Sequence, residues 1–175
     1  MRFIIIEMKV MGIALDTRTG TPIVVLHDID NRRALPIWIG SAEASSIIRK
    51  IENLPVTRPM THDLIISIIE KVGFQISKVE INDVEKETYY AKIILENTEG
   101  KFIEIDSRPS DAIAIAIRVD APIFVTANVL SNGSVSTDSS RDEEEAEEFK
   151  NFVQSIKPSD FAKLMKDKDH HESDQ

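Results

Sequence analysis

Arg108-Pro109-Ser110-Asp111-Ala112-Ile113-Ala114-Ile115-Ala116-Ile117-Arg118 is the stretch on which the fold turns. Its strict Ala/Ile alternation has the two-residue period of a strand. Its start is that of a helix: Ser110 suits an N-cap, Asp111 suits a first turn, and alanine favours helix. The reading is therefore a helix, with Ile113 and Ile117 on one side and Ile115 on another, buried nearly all round. Arg108, Asp111, Arg118 and the nearby Asp106 would set charge against buried Ile and Ala, which is costly unless each is paired. The stretch is thus either an ion-paired brace or part of a site.

Working outward, the upstream chain reads as strands over 2–15, 22–26 and 34–39, then a helix from Ala42 to Ile51 behind Ser41 as N-cap. Two prolines make 52–59 a loop. Thr61 opens a second helix whose apolar face is Leu64, Ile65, Ile68, Ile69 and Val72, closed by Gly73. Strands follow over 74–81, 89–95 and 102–105, the last two joined by Asn97-Thr98-Glu99-Gly100, and Ile123-Phe124-Val125 is a short final strand. The expected fold is α+β: a mixed or antiparallel sheet packed with three main helices. Residues 24–51 and 93–119 both read hairpin, then capped helix, which suggests an internal strand-strand-helix duplication. Residues 1–130 form the domain, 131–142 a flexible linker, 143–168 an amphipathic helical appendage and 169–175 a polar tail. Phe149, Phe152, Val153 and Ile156 stripe one face of the appendage, which should dock on the core or on a second copy.

The 175 residues suffice for one good core and contain no cysteine, which excludes disulfides, thiolate metal sites and thiol nucleophiles. The net charge of −9 is uneven: residues 1–130 hold 15 basic against 18 acidic residues, and 131–175 hold 6 against 12. A nucleic-acid partner would need a basic patch made by folding, or cations to offset phosphate repulsion. No apolar run is long enough to span a bilayer. The N-terminal run reads as a strand and not a signal peptide, so the expected location is cytoplasmic, with no membrane partner. The apolar strands and the Phe stripe point to a homo-oligomer, most simply a dimer.

Two clusters could carry chemistry. In Arg58-Pro59-Met60-Thr61-His62-Asp63, a His-Asp pair falls in a helix first turn, where N–H groups attract anions. It could bind phosphate or polarise a water; the plainer reading is that Thr61 and Asp63 only cap the helix. In the second cluster Asp106 ends a strand and Asp111 begins a helix, a geometry suited to Mg²⁺ or Mn²⁺, with Glu43 as a third carboxylate. The plainer readings are ion pairs between these arginines and aspartates, and a capping role for Glu43. Trp38 is read as core or subunit packing rather than a base-stacking platform. The tail pair His170-His171 has no second ligand cluster. No phosphate-binding glycine loop, zinc spacing or nucleophile elbow is present.

Four blocks carry a family resemblance: Ile37-Trp38-Ile39-Gly40-Ser41-Ala42-Glu43-Ala44, Arg58 to Leu64, Asp106 to Ala114, and Ala121-Pro122-Ile123-Phe124-Val125. In this order and spacing, over roughly residues 5–130, the chain resembles the bifunctional nuclease domain family. That resemblance implies a compact α+β domain, often oligomeric, with nuclease activity on DNA and RNA. Some members add a C-terminal module related to a nucleotide-excision-repair interaction motif; here the acidic linker and Phe-striped helices stand in its place.

The site expectation follows from residue chemistry at those blocks. His62, Asp63, Asp106 and Asp111 are the candidate catalytic residues. Arg58, Arg108, Ser110 and Arg118 are the phosphate ligands, and Glu43, Asp106 and Asp111 the metal ligands. The expected function is metal-assisted phosphodiester hydrolysis of nucleic acid. The alternatives are a non-enzymatic oligomeric scaffold and a binder of small anionic ligands.

Overall fold

The structure, a computed structural model, describes residues 4–137 and 143–154. The chain runs β1 (Ile5–Leu15), β2 (Pro22–Asp28), β3 (Arg33–Trp38), α1 (Ser41–Ile51), α2 (Thr61–Lys71), β4 (Phe74–Glu85), β5 (Thr88–Asn97), β6 (Phe102–Ser107), α3 (Pro109–Val119), β7 (Ile123–Thr126), α4 (Ala127–Gly133), β8 (Val135–Ser136) and α5 (Glu143–Gln154). The eight strands among the described residues join one mixed sheet in the order β6-β5-β4-β7-β1-β2-β3-β8. Only the β4–β7 pairing is parallel.

The two halves repeat the same order of elements. β1-β2-β3 and β4-β5-β6 are antiparallel meanders, each followed by a helix, with β7 between them in the sheet. Alternation along each strand sends one set of side chains to the helices. Ile37, Ile93, Leu95 and Val79 meet Ala44 and Ile47 of α1 and the buried Ala112–Ala116 run of α3 in the main core. The helix reading of that run holds because the segment lies across the sheet and presents apolar groups all round. The sheet curls strongly: a methyl placed at Gly133 would overlap the Tyr89 hydroxyl of β5 and touch Leu35 of β3.

Several boundaries differ from expectation. The N-caps are Gly40, Met60 and Arg108, so Ser41, Thr61 and Ser110 each lie one or two residues inside their helices. Pro109 explains the shift in α3: its fixed φ suits the first helical position, where no N–H is needed. Strand β4 continues to Glu85 and turns to β5 through Lys86 and Glu87, both at positive φ (47° and 66°). The stretch read as a linker from Ser131 begins as the end of α4 and as β8, which pairs with β3. Of the acidic appendage, Ala146 and Phe149 of α5 are buried, Phe149 against Ala14, Ile23, Val25 and Ala34 on the sheet's other face. Residues 138–142 of the linker, Ile156, the short helix expected through Met165 and the tail lie outside the described residues, as do the side chains of Phe152 and Val153. No helix among the described residues is long and apolar enough to cross a membrane.

Candidate functional site

Three helices meet over one face of the sheet, and a chain of polar side chains runs through their junction. Arg118, in the last turn of α3, is 9% exposed in its side chain and is used on every nitrogen. Its Nε donates to Asp63 Oδ1 at 2.9 Å, Nη1 to the Ala114 carbonyl at 2.7 Å, and Nη2 to the Ser46 carbonyl at 3.0 Å and the Ser46 Oγ at 2.8 Å. Ser46 Oγ lies 2.6 Å from His62 Nδ1, and His62 Nε2 lies 2.8 Å from Asp111 Oδ1. An arginine can only donate, so the Ser46 oxygen accepts from it; in the neutral ring the hydroxyl proton then goes to Nδ1, and Nε2–H donates to Asp111. Arg108 completes the chain. Its Nε donates to Asp111 Oδ2 at 2.8 Å and its Nη2 to Glu43 Oε1 at 2.7 Å, while 64% of its side chain stays exposed.

The electrostatics follow this geometry. Partial burial pushes the Asp63 carboxyl up, but the Met60 N–H, the Arg118 guanidinium and His62 outweigh it and hold the group below the ordinary value of 3.8. Hydrogen bonds from Arg108 to Glu43 and then Asp111 raise the arginine further above its usual range. Glu43 is bent back over Gly40, where any side chain would overlap its carboxylate. Here Glu43 serves Arg108 rather than capping its own helix.

The structure joins His62, Asp63, Asp111, Glu43, Arg108 and Arg118 in one network. It leaves Asp106 out. In β6 Asp106 stands opposite Lys92, as Ile105 stands opposite Ile93 and Ser107 opposite Ala91. Ile93 and Ala91 face the helices, so the Glu104–Asp106 side of the strand faces away from them. The alternation of Ile103, Glu104, Ile105 and Asp106 already carried that signal. Arg58 is exposed in the loop before α2 and makes no ion pair or hydrogen bond to a described residue. Arg118 uses four of its five N–H donors on the protein and is almost wholly enclosed, so a phosphate could not reach it without displacing these partners. Ser110 is buried beside the network. Ser46 is the member that sequence reasoning missed; a serine on the apolar face of α1 between Ala44 and Ile47 needs a buried partner, and that was the available clue.

The expected metal ligands do not fit a divalent ion as they stand. Glu43 Oε1 and Asp111 Oδ2 each lie 2.7 Å from Arg108 Nη2, so the guanidinium fills the place a cation would take. Asp106 is on the opposite face, and no group of three His, Asp or Glu among the described residues could hold a metal ion.

Comparison with known proteins shows which sequences this chain is similar to. A model of the bifunctional nuclease domain matches residues 24–138. An uncharacterized protein of Mycobacterium tuberculosis is 36% identical over 163 residues, covering 89% of this chain and 97% of its own. A rice protein named bifunctional nuclease 2 is 34% identical over 109 residues, 59% of this chain and 33% of its own length. Bifunctional nuclease 1 of Arabidopsis thaliana is 27% identical over 127 residues, 66% of this chain and 39% of its own.

Proposed function

This chain belongs to the bifunctional nuclease domain family, and on that premise we propose that it hydrolyses phosphodiester bonds of DNA or RNA at the outer end of the network. The observation that carries the reading is the triangle of Arg108, Asp111 and Glu43, which is ordered by buried groups behind it yet open to solvent in front.

The roles follow from reach. Asp111 is 26% exposed and still has lone-pair capacity, so it is the general base. It takes a proton from water as the water oxygen bonds to phosphorus; the ester P–O bond breaks, and the departing oxygen takes a proton from solvent. Arg108 stabilises the charge that develops on the phosphoryl oxygens. Both ring nitrogens of His62 are occupied, so His62 is a positioning residue that holds Asp111 through Nε2. Mg²⁺ or Mn²⁺, expected from the sequence, would have to displace Arg108 from its two carboxylates, and no step above uses it.

The test is cleavage of labelled single- and double-stranded DNA and RNA by the full chain, in Mg²⁺, in Mn²⁺ and in a chelator, beside Asp111→Asn. Loss of cleavage in the variant supports the reading, and equal cleavage by the variant refutes it. A second copy is part of the same proposal. Leu64, Ile68 and Val72 line the outer face of α2 at helical spacing and are all more than half exposed. Ile68→Glu is expected to halve the mass seen by light scattering.

A further inference from the structure

Beside the network a cleft of about 370 Å³ opens off the end of β3, within the roughly 300–1,000 Å³ range of ligand sites. Its lining includes Ser110, Arg108 and Gly40 together with Trp38, Tyr89 and the acidic Glu87. Ser110 is only 6% exposed, lines the cleft, and its hydroxyl bonds to no other described residue. The hydroxyl oxygen is not sealed from solvent, and its open side is the one a group bound in the cleft can reach. It stands in the first turn of α3, where the N–H groups of Ser110 and Asp111 lack partners within the helix. Arg108 Nη1 likewise makes no bond to a described residue.

Trp38 is the other half of the argument. It is not in the core: half of its surface is exposed, and its Nε1 donates to Asp16 Oδ2 at 3.2 Å, which fixes the ring edge. An anchored indole with an open surface is a stacking platform that loses little freedom on binding. A hydroxyl with no protein partner, a helix start and a free guanidinium edge form an anion receptor. The two together match a flat base joined to a phosphate.

We propose that this cleft seats one nucleotide of a single-stranded nucleic acid. Its phosphate lies on Ser110, the first turn of α3 and Arg108, and its base lies against Trp38. The inference rests on the nuclease reading only for the delivery of a strand; the seat itself stands on the cleft. It places the adjoining phosphodiester beside Asp111.

Trp38 is the only tryptophan, so its emission reports the seat directly. The full chain is titrated with a cleavage-resistant phosphorothioate oligothymidylate, with thymidine monophosphate and with inorganic phosphate, and oligonucleotide binding is followed in parallel by anisotropy. The expected result is quenching by the oligonucleotide at lower concentration than by the mononucleotide. Ser110→Ala should weaken binding about tenfold. Trp38→Ala should weaken it roughly five- to hundredfold, with Trp38→Phe in between. Unchanged emission on oligonucleotide binding, or full affinity in Trp38→Ala, overturns the seat. Equal affinity for the mononucleotide or phosphate overturns the single-strand assignment. Quenching by this probe with no cleavage of unmodified DNA or RNA keeps the seat and rejects the nuclease reading; cleavage of the unmodified strands with no quenching does the reverse.

Discussion

Arg118 and Arg108 bracket the same helix, and each holds an aspartate from a helix first turn, yet they stand in opposite environments. Arg118 is enclosed between α1, α2 and α3 and engages all three of its nitrogens with Asp63, Ser46 and the Ala114 carbonyl. Arg108 has the same guanidinium with a carboxylate on either side, but most of it faces water and one nitrogen is free. The first braces three helices; the second can exchange a partner for a substrate. His62 and Ser46 connect the two, so the rigidity of the inner end is handed to the outer one. A site needs both: groups that can meet the substrate, and a supporting shell that keeps them in place.

The comparison breaks most visibly at Arg118. Replacing it with alanine leaves Asp63 and Ser46 without their donor and should cost roughly 3 kcal/mol, near the low end for breaking a buried pair because Asp63 keeps some water. Urea denaturation would read this as a lower midpoint with an unchanged slope. At the other end, Arg108→Ala should alter stability by no more than about 1 kcal/mol, since its pairs are largely exposed. Phosphodiesterase turnover, by contrast, should fall about a hundred- to thousandfold. Equal stability losses at the two arginines would erase the distinction.

Acid titration sharpens the inner end. Asp63 has a folded value below 3.8, so its contribution is present above that pH and is lost as pH falls through the folded value. Asp63→Asn should therefore lower stability by a constant amount at neutral and alkaline pH, and remove the acid-side fall below about pH 4 that the carboxylate causes. The smallest effect is expected at Gly40. Its alanine variant would push away only the tip of the Glu43 side chain, so stability should hardly move. Loosening Glu43 from Arg108 should appear instead as a modest change in turnover, measurable against the wild-type chain.

The residues differ in how far their roles could be read without coordinates. The Ala112–Ile117 helix was legible because its first-turn signals outweighed its alternation. Asp106 is close to Asp111 in sequence, but strand parity turns its side chain to the opposite face of β6. Ser46 went unseen because its partners come from two other helices. Trp38, between two isoleucines, looked like packing; only the end of β3 beside α3 leaves it half in solvent.

By itself the sequence determined the order of elements as far as β7, the α+β class, the family and the types of group available for chemistry, because these depend on local periodicity, turn residues and motif spacing; α4 and β8 were not legible in it. Tertiary structure alone decided which charges meet. Partners such as Arg108 and Glu43 lie 65 residues apart. Whether a guanidinium ends as a brace or as an open hand depends on how much water the packed helices leave around it.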